Sequence, residues 1–233
     1  MATRPITAWP APTDAPALLF GGSFDPPHVA HVSLATAARD EVFPDTGWLI
    51  FVPASQNPHK PSQPVATDAQ RLEMLRLAIQ DKPRVAIWTD EIDRSRDNEP
   101  SYWADTISRA RRVVDKDTPL RFLIGADQAI AFHRWHEHEA ILKDAEPAVM
   151  LRNPCPTRES FRSTLLSIGH DPAEWMPRLV NTEVLSVAST EARSAIEQGK
   201  NSDKMLDELV MGYIELYGLY GSADDSSLSP PVG

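Results

Sequence analysis

The chain is poor in cysteine, in basic residues and in long apolar runs, and each shortage removes a class of function. A single cysteine among 233 residues, Cys155, excludes an internal disulfide framework and any zinc site built from several thiolates. Flanked by Pro154 and Pro156, it reads as a free thiol in a loop. Lys and Arg number 23 against 33 Asp and Glu, a formal net charge of −10, so the basic face that a nucleic-acid lattice demands is missing. A small anionic nucleotide needs only a local positive site and is compatible with that balance. No apolar stretch approaches the roughly 20 residues that cross a bilayer. Residues 1–16 have neither the basic start nor the apolar core of a signal peptide. The expected compartment is therefore the cytoplasm, with no membrane and no nucleic acid as partner.

What is present is enough apolar material, 42% of 233 residues, for a sizeable single core. Strand candidates near 17–21, 48–53, 84–88, 119–124, 147–151 and 184–187 alternate with helical patterns. That alternation predicts an α/β fold, a Rossmann-like doubly wound parallel sheet with helices on both faces. Thr67 and Gln70 form a capping box, and Leu72, Leu75, Ala78 and Ile79 then follow on one helical face. The proline-rich residues 1–16 and the polar residues 221–233 read as disordered tails around a domain spanning 17–220.

The densest chemistry lies in Gly21-Gly22-Ser23-Phe24-Asp25-Pro26-Pro27-His28-Val29-Ala30-His31, which follows the apolar run Ala17–Phe20 and opens a helix. Glycines let a backbone approach an anion closely, and a helix N-terminus offers free N–H groups and the positive end of its dipole. His28 and His31, three apart, share one helical face and can address one polyphosphate. Further loaded stretches also follow strand candidates: Asn57-Pro58-His59-Lys60, Gly125-Ala126-Asp127, and Ala188-Ser189-Thr190-Glu191-Ala192-Arg193. Ligands of such sheets sit at the carboxyl ends of the strands, where all four stretches would converge. Ser189 and Thr190 can cap a helix while offering hydroxyls to phosphate, with Arg193 one turn on. Taken singly, each has a plain alternative: solvated histidines, an ordinary turn, a capped surface helix.

Together these residues resemble the Gly-x-Phe-Asp-Pro-x-His-x-Gly-His signature of the nucleotidyltransferase superfamily. The double proline before His28 resembles the bacterial nicotinate mononucleotide adenylyltransferase family in particular. Ala188 to Arg193 is similar to the family's Ser-Ser-Thr-x-x-Arg motif, and Asn57 to Lys60 to its Asn-Pro-x-Lys loop. Arg71-Leu72-x-Met74-Leu75, Glu91-Ile92-x-Arg94, Ser101-Tyr102, Asp105-Thr106, Gly125-Ala126-Asp127 with Trp135, and Tyr213-Ile214 with Leu219-Tyr220 extend the resemblance over roughly 17–220. The chain departs from the pattern at Ala30, where the family has glycine, at Ala188, where it has serine, and at Trp103, where it commonly has threonine.

The resemblance implies attack by the phosphate of nicotinate mononucleotide on the α-phosphorus of ATP, giving deamido-NAD and pyrophosphate in NAD biosynthesis. Nicotinamide mononucleotide is a further candidate acceptor. His28, His31, Lys60 and Arg193 are then the catalytic candidates, with Mg²⁺ accompanying ATP. Gly22, Ser23, Phe24, Gly125, Asp127, Ser189 and Thr190 join the histidines and Arg193 on ATP; Ser23 and Phe24 would act through backbone amides, Asp127 on the ribose or the Mg²⁺. Tyr102, Trp103 and Trp135 join Lys60 on the mononucleotide, Trp103 either stacking on the pyridine or anchoring its helix in the core. His133, His136 and His138 crowd one segment, but without further ligands they read as a solvated face and no resident metal is expected. Two other readings stand beside this one. The first is a pantetheine-phosphate or cytidylyl transferase of the same superfamily, and the second a nucleotide-binding regulatory protein without catalysis, motivated by Ala30 and Ala188.

Overall fold

The computed structural model describes residues 7–55, 64–94, 102–182, 187–202 and 204–221. Five parallel strands, β1 (Ala17–Gly22), β2 (Trp48–Pro53), β3 (Val85–Ile87), β4 (Leu120–Gly125) and β5 (Glu146–Met150), form one sheet in the order β3-β2-β1-β4-β5. Five of the six strand candidates are these strands to within a residue or two. The sixth, 184–187, lies outside the described residues except for Val187, which is not in a strand.

Each strand is apolar on both sides because both faces of the sheet are covered. Along β1, Leu18 and Phe20 enter one core cluster while Ala17 and Leu19 enter the other; β2 divides likewise into Leu49 and Phe51 against Ile50 and Val52. The first core is closed by α1 (Val29–Val42) and α2 (Asp68–Ile79). The second lies under α4 (Trp103–Val113), α5 (Ala126–Ala131), α6 (His138–Asp144) and α7 (Arg158–Ser167). Short helices α3 (Asp90–Arg94) and α8 (Pro172–Trp175) join elements at the edges, while α9 (Ser189–Glu197) and α10 (Glu208–Leu216) return to the first core. The capping box at α2 forms as expected, Thr67 Oγ1 accepting from Gln70 N–H and Gln70 Oε1 from Thr67 N–H. On that helix Arg71 and Met74 are buried together with Leu75, Ala78 and Ile79, whereas Leu72 is only half-buried.

The N-terminal segment differs from the expected tail. Residues 7–16 are packed onto the second core: Trp9 meets Trp88 edge to face at 5.1 Å, and Trp88 Nε1–H donates to Thr7 O. The carbonyl of Thr13 accepts from both Asp115 N–H and Thr118 Oγ1. One large aromatic side chain that finds an apolar seat outweighs the proline-rich composition around it.

Connections from β1 through β2 to β3 run toward one edge, and the chain then crosses back to place β4 on the other side of β1. The carboxyl ends of β1 and β4 therefore flank the point where strand order reverses, the place where open α/β sheets bind ligands.

Candidate active site

The turn after β1 is shaped by aromatic packing as much as by any ligand. A Cβ on Gly21 would stand 2.6 Å from the Trp103 ring, and one on Gly22 would stand 2.9 Å from Phe24. Both glycines are thus required to seat indole and phenyl rings, a role that motif reading assigned to phosphate approach. Phe24 itself has φ +49° and is almost fully buried, its ring meeting those of Phe20, Phe51 and His31. Its side chain is a core anchor that fixes the backbone of the turn.

His28 and His31 come together as their spacing requires. His28 is the N-cap of α1 and His31 its third residue, and the two cap each other: His31 N–H donates to His28 Nδ1 and His28 N–H to His31 Nδ1, each at 3.2 Å. The rings stack with centroids 3.5 Å apart and 15° between planes. An imidazole whose Nδ1 accepts a hydrogen bond carries its proton on Nε2 when neutral, so this reciprocal cap holds both rings as Nε2–H donors. For His28 the neutral form is reinforced, its pKa lowered to about 4 by burial first and by the Arg152 guanidinium second. Two Nε2–H donors at a helix N-terminus suit a phosphate whose charge grows during reaction.

Arg152, which motif reading passed over, lies just past β5 and reaches across Gly125 at the end of β4. Its guanidinium holds Asp127 through two bonds, Nε to Oδ1 at 2.6 Å and Nη2 to Oδ2 at 3.0 Å. A Cβ on Gly125 would stand 2.0 Å from Arg152 Nε, so the absent side chain is what admits the arginine. The signal was available: Arg152 follows a strand end, as the other loaded stretches do.

The Ser189–Arg193 stretch faces the same turn, with a correction to its capping. The N-cap of α9 is Ala188, whose N–H donates to Glu191 Oε2, so neither Ser189 nor Thr190 caps the helix. Ser189 Oγ instead donates to Pro26 O at 3.0 Å, while Arg193 donates to Asp25 O and, at 3.4 Å, to Thr190 Oγ1. Ala30 is buried on α1. Lys60, with Asn57, Pro58 and His59, lies outside the described residues, as does Ser101.

Among the candidates for the mononucleotide, Tyr102 precedes α4 and its ring lies 4.4 Å from that of His136. Trp103 packs on Gly21 and stands edge-on to Phe122 at 6.3 Å, its Nε1 buried and without a partner among the described residues. Trp135 packs on the second core against Phe132. Glu91, Arg94 and Thr106 hold one another: Thr106 Oγ1 donates to Glu91 Oε1 at 2.6 Å and accepts from Arg94 Nη2 at 2.8 Å. Together with the buried Asp90–Arg109 pair at 2.7 Å, they fasten α3 to α4. The three crowded histidines part company, His133 bonding to His170 at 3.1 Å, His136 facing Tyr102 and His138 meeting Phe132. Among the described residues no group of three or more His, Cys, Asp or Glu is placed to hold a metal ion, and no helix is long and apolar enough to cross a membrane.

A parallel sheet whose first turn carries glycines and paired imidazoles at the reversal of strand order defines a nucleotidyltransferase type of protein. The model of the cytidylyltransferase-like family matches residues 19–195. The nicotinate-nucleotide adenylyltransferases of Salmonella typhi and Salmonella typhimurium are each 34% identical to this chain over 212 residues, covering 87% of it and 97% of each relative. A probable nicotinate-nucleotide adenylyltransferase of Klebsiella pneumoniae is 32% identical over 221 residues, covering 87% of this chain and 95% of its own. The chain belongs to the cytidylyltransferase-like family, on its nicotinate-nucleotide adenylyltransferase branch. In fold it is similar to the Plasmodium falciparum nicotinic acid mononucleotide adenylyltransferase solved with NaAD, with a TM-score of 0.66 at 19% identity over 90% of this chain and 98% of that one.

Proposed function

We propose that this chain transfers the adenylyl group of ATP to nicotinate mononucleotide, releasing pyrophosphate and forming deamido-NAD. The observation that carries this reading is the mutually capped His28–His31 pair at the strand-order reversal, in a chain 34% identical to named nicotinate-nucleotide adenylyltransferases. An oxygen of the mononucleotide phosphate forms a bond to the α-phosphorus, and the bond from that phosphorus to the bridging oxygen breaks with pyrophosphate as leaving group. No covalent bond to the protein is required, so catalysis is positioning and charge neutralisation.

His28 and His31 donate through Nε2–H to the α-phosphate and the departing oxygen. Backbone N–H groups of Gly22, Ser23 and Phe24 line the same turn. Ser189, Thr190 and Arg193 hold the β- and γ-phosphates, and Lys60 neutralises charge between ATP and the mononucleotide. Gly125 and Asp127 bind the ATP ribose, Arg152 being the group that Asp127 exchanges for it. Tyr102, Trp103 and Trp135 form the mononucleotide side. A divalent cation enters with ATP and is proposed to be Mg²⁺; Asp127 is the site carboxylate able to orient it, and the cation supplies charge neutralisation on the triphosphate. The setting proposed for this reaction is the cytoplasm. Pyrophosphate release from ATP, with nicotinate mononucleotide, nicotinamide mononucleotide and phosphopantetheine offered separately, tests the assignment. Transfer to nicotinate mononucleotide above the other two is expected, and preferential transfer to phosphopantetheine would overturn it.

A further inference from the structure

Asp25 presents an anion where the site otherwise gathers donors for phosphate. Its side chain is only 5% exposed, and its carboxylate is engaged from three distant parts of the chain. Val65 N–H donates to Oδ2 at 2.7 Å and Ala66 N–H to Oδ1 at 3.1 Å. Tyr220, just beyond α10, donates its hydroxyl to Oδ1 at 2.7 Å from 195 positions away. Arg193 Nη1 lies 3.6 Å from Oδ2 while also donating to the Asp25 carbonyl. Three of its acceptor positions are taken, the Arg193 guanidinium faces Oδ2, and a carboxylate repels phosphate, so its use is to hold other groups in place.

We propose that Asp25 is a positioning residue for adenylyl transfer, with Tyr220 as the lock that fixes its carboxylate. The carboxylate aligns the Arg193 guanidinium beside the histidine turn and ties that turn to Val65 and Ala66. Tyr220 closes the network from the C-terminal end of the described chain, with φ +60° at that residue. Burial and the hydrogen bond to Asp25 both keep its hydroxyl protonated. The C-terminal turn thereby acts on phosphate handling without touching a nucleotide. This inference rests on the adenylyl-transfer reading and adds two residues that act through Arg193.

The test is a double-mutant cycle read with ATP and Mg²⁺. Tyr220→Phe keeps the ring and removes the lock; it is expected to lower kcat/KM for ATP about tenfold while the KM for nicotinate mononucleotide stays within about twofold. Asp25→Asn should lower kcat/KM for ATP by about a hundredfold. In an Arg193→Ala background, the effect of Tyr220→Phe should shrink to under about threefold, because the group it positions is gone. An unchanged kcat/KM for ATP in Tyr220→Phe, or the same loss in both backgrounds, overturns the proposal. Should Tyr220→Phe fail to fold, the same cycle is run with Asp25→Asn. Calorimetric titration with ATP and Mg²⁺ reads the coupling as a ratio of Kd values independently of turnover. A chain that binds ATP but transfers nothing to any mononucleotide defeats the enzyme reading alone, while the calorimetric cycle still decides on Asp25.

Discussion

At the scale of single residues, the chemistry depends on two imidazoles whose protons are placed by the backbone. Each ring accepts the other's main-chain N–H, so the cap that starts α1 also sets the donor atoms that would face a phosphate. Changing either His28 or His31 to alanine is expected to lower turnover by about 10² to 10³ with a smaller change in ATP affinity, as for removal of one preorganised donor. Steady-state rates beside an ATP titration check this. The buried neutral state of His28 also makes stability depend on pH. With a folded-state pKa of about 4 against an ordinary 6.5, the unfolded chain takes up its proton first as pH falls. The stabilisation is complete above pH ~6.5 and is lost toward pH 4, on the order of 3 kcal/mol at the limit. Urea unfolding at pH 7 and pH 5 should show a loss that is smaller in His28→Gln. Ala30 is buried and Ala188 already starts α9 without a side-chain cap, so both departures from the family pattern are accommodated in place. Ala30→Gly and Ala188→Ser are each expected to leave activity within about tenfold. Restoration of transfer by either substitution in an otherwise inactive chain would show the regulatory reading to be right.

At the scale of elements, the strand ends are built to receive aromatic rings. Trp103 opens α4 and fills the space beside Gly21, so its packing face is occupied, and its buried Nε1 has no partner among the described residues. The core-anchor role is therefore met. Stacking on a pyridine, which the alternative reading requires, needs a face of the ring that Gly21 does not cover. Trp103→Thr tests both: a stable variant with an altered ratio of nicotinate to nicotinamide mononucleotide use places the indole in the site, and an unchanged ratio removes it. Gly21→Ala would set a methyl 2.6 Å from that indole, and overpacking of this kind is expected to cost about 1–3 kcal/mol in denaturant unfolding. Tyr102 and Trp135, assigned to the same wall by resemblance, lie beside His136 and on the second core respectively.

At the scale of the whole molecule, the segment before β1 is part of the body over residues 7–16. Trp9 packs edge to face on Trp88 of the second core, and Thr7 also donates to Asp93 at 2.8 Å. Trp9→Ala is expected to destabilise the chain by about 2 kcal/mol, below the cost of emptying a fully enclosed site because Trp9 is half-buried. A thermal or urea transition unchanged from the natural chain would return this segment to the tail that its prolines suggest.

Local order was legible in the sequence because it is written among neighbours. Apolar runs ending in Gly or Pro marked β1 and β2, Thr67 and Gln70 marked the start of α2, and the three-residue spacing of His28 and His31 placed both rings on one end of α1. That Gly22 and Gly125 end their strands at the same edge could be foreseen for the same reason, since strand alternation sends the ends of parallel strands to one edge of the sheet. Partnerships across long stretches of chain were decided only by the tertiary structure. Arg152 on Asp127, Tyr220 on Asp25 and Trp9 on Trp88 join residues 25, 195 and 79 positions apart, and no spacing rule relates them. Which side chain fills the space a glycine leaves, or satisfies a buried carboxylate, depends on which elements the sheet order makes adjacent; that adjacency exists only once the chain has crossed from β3 back to the far side of β1.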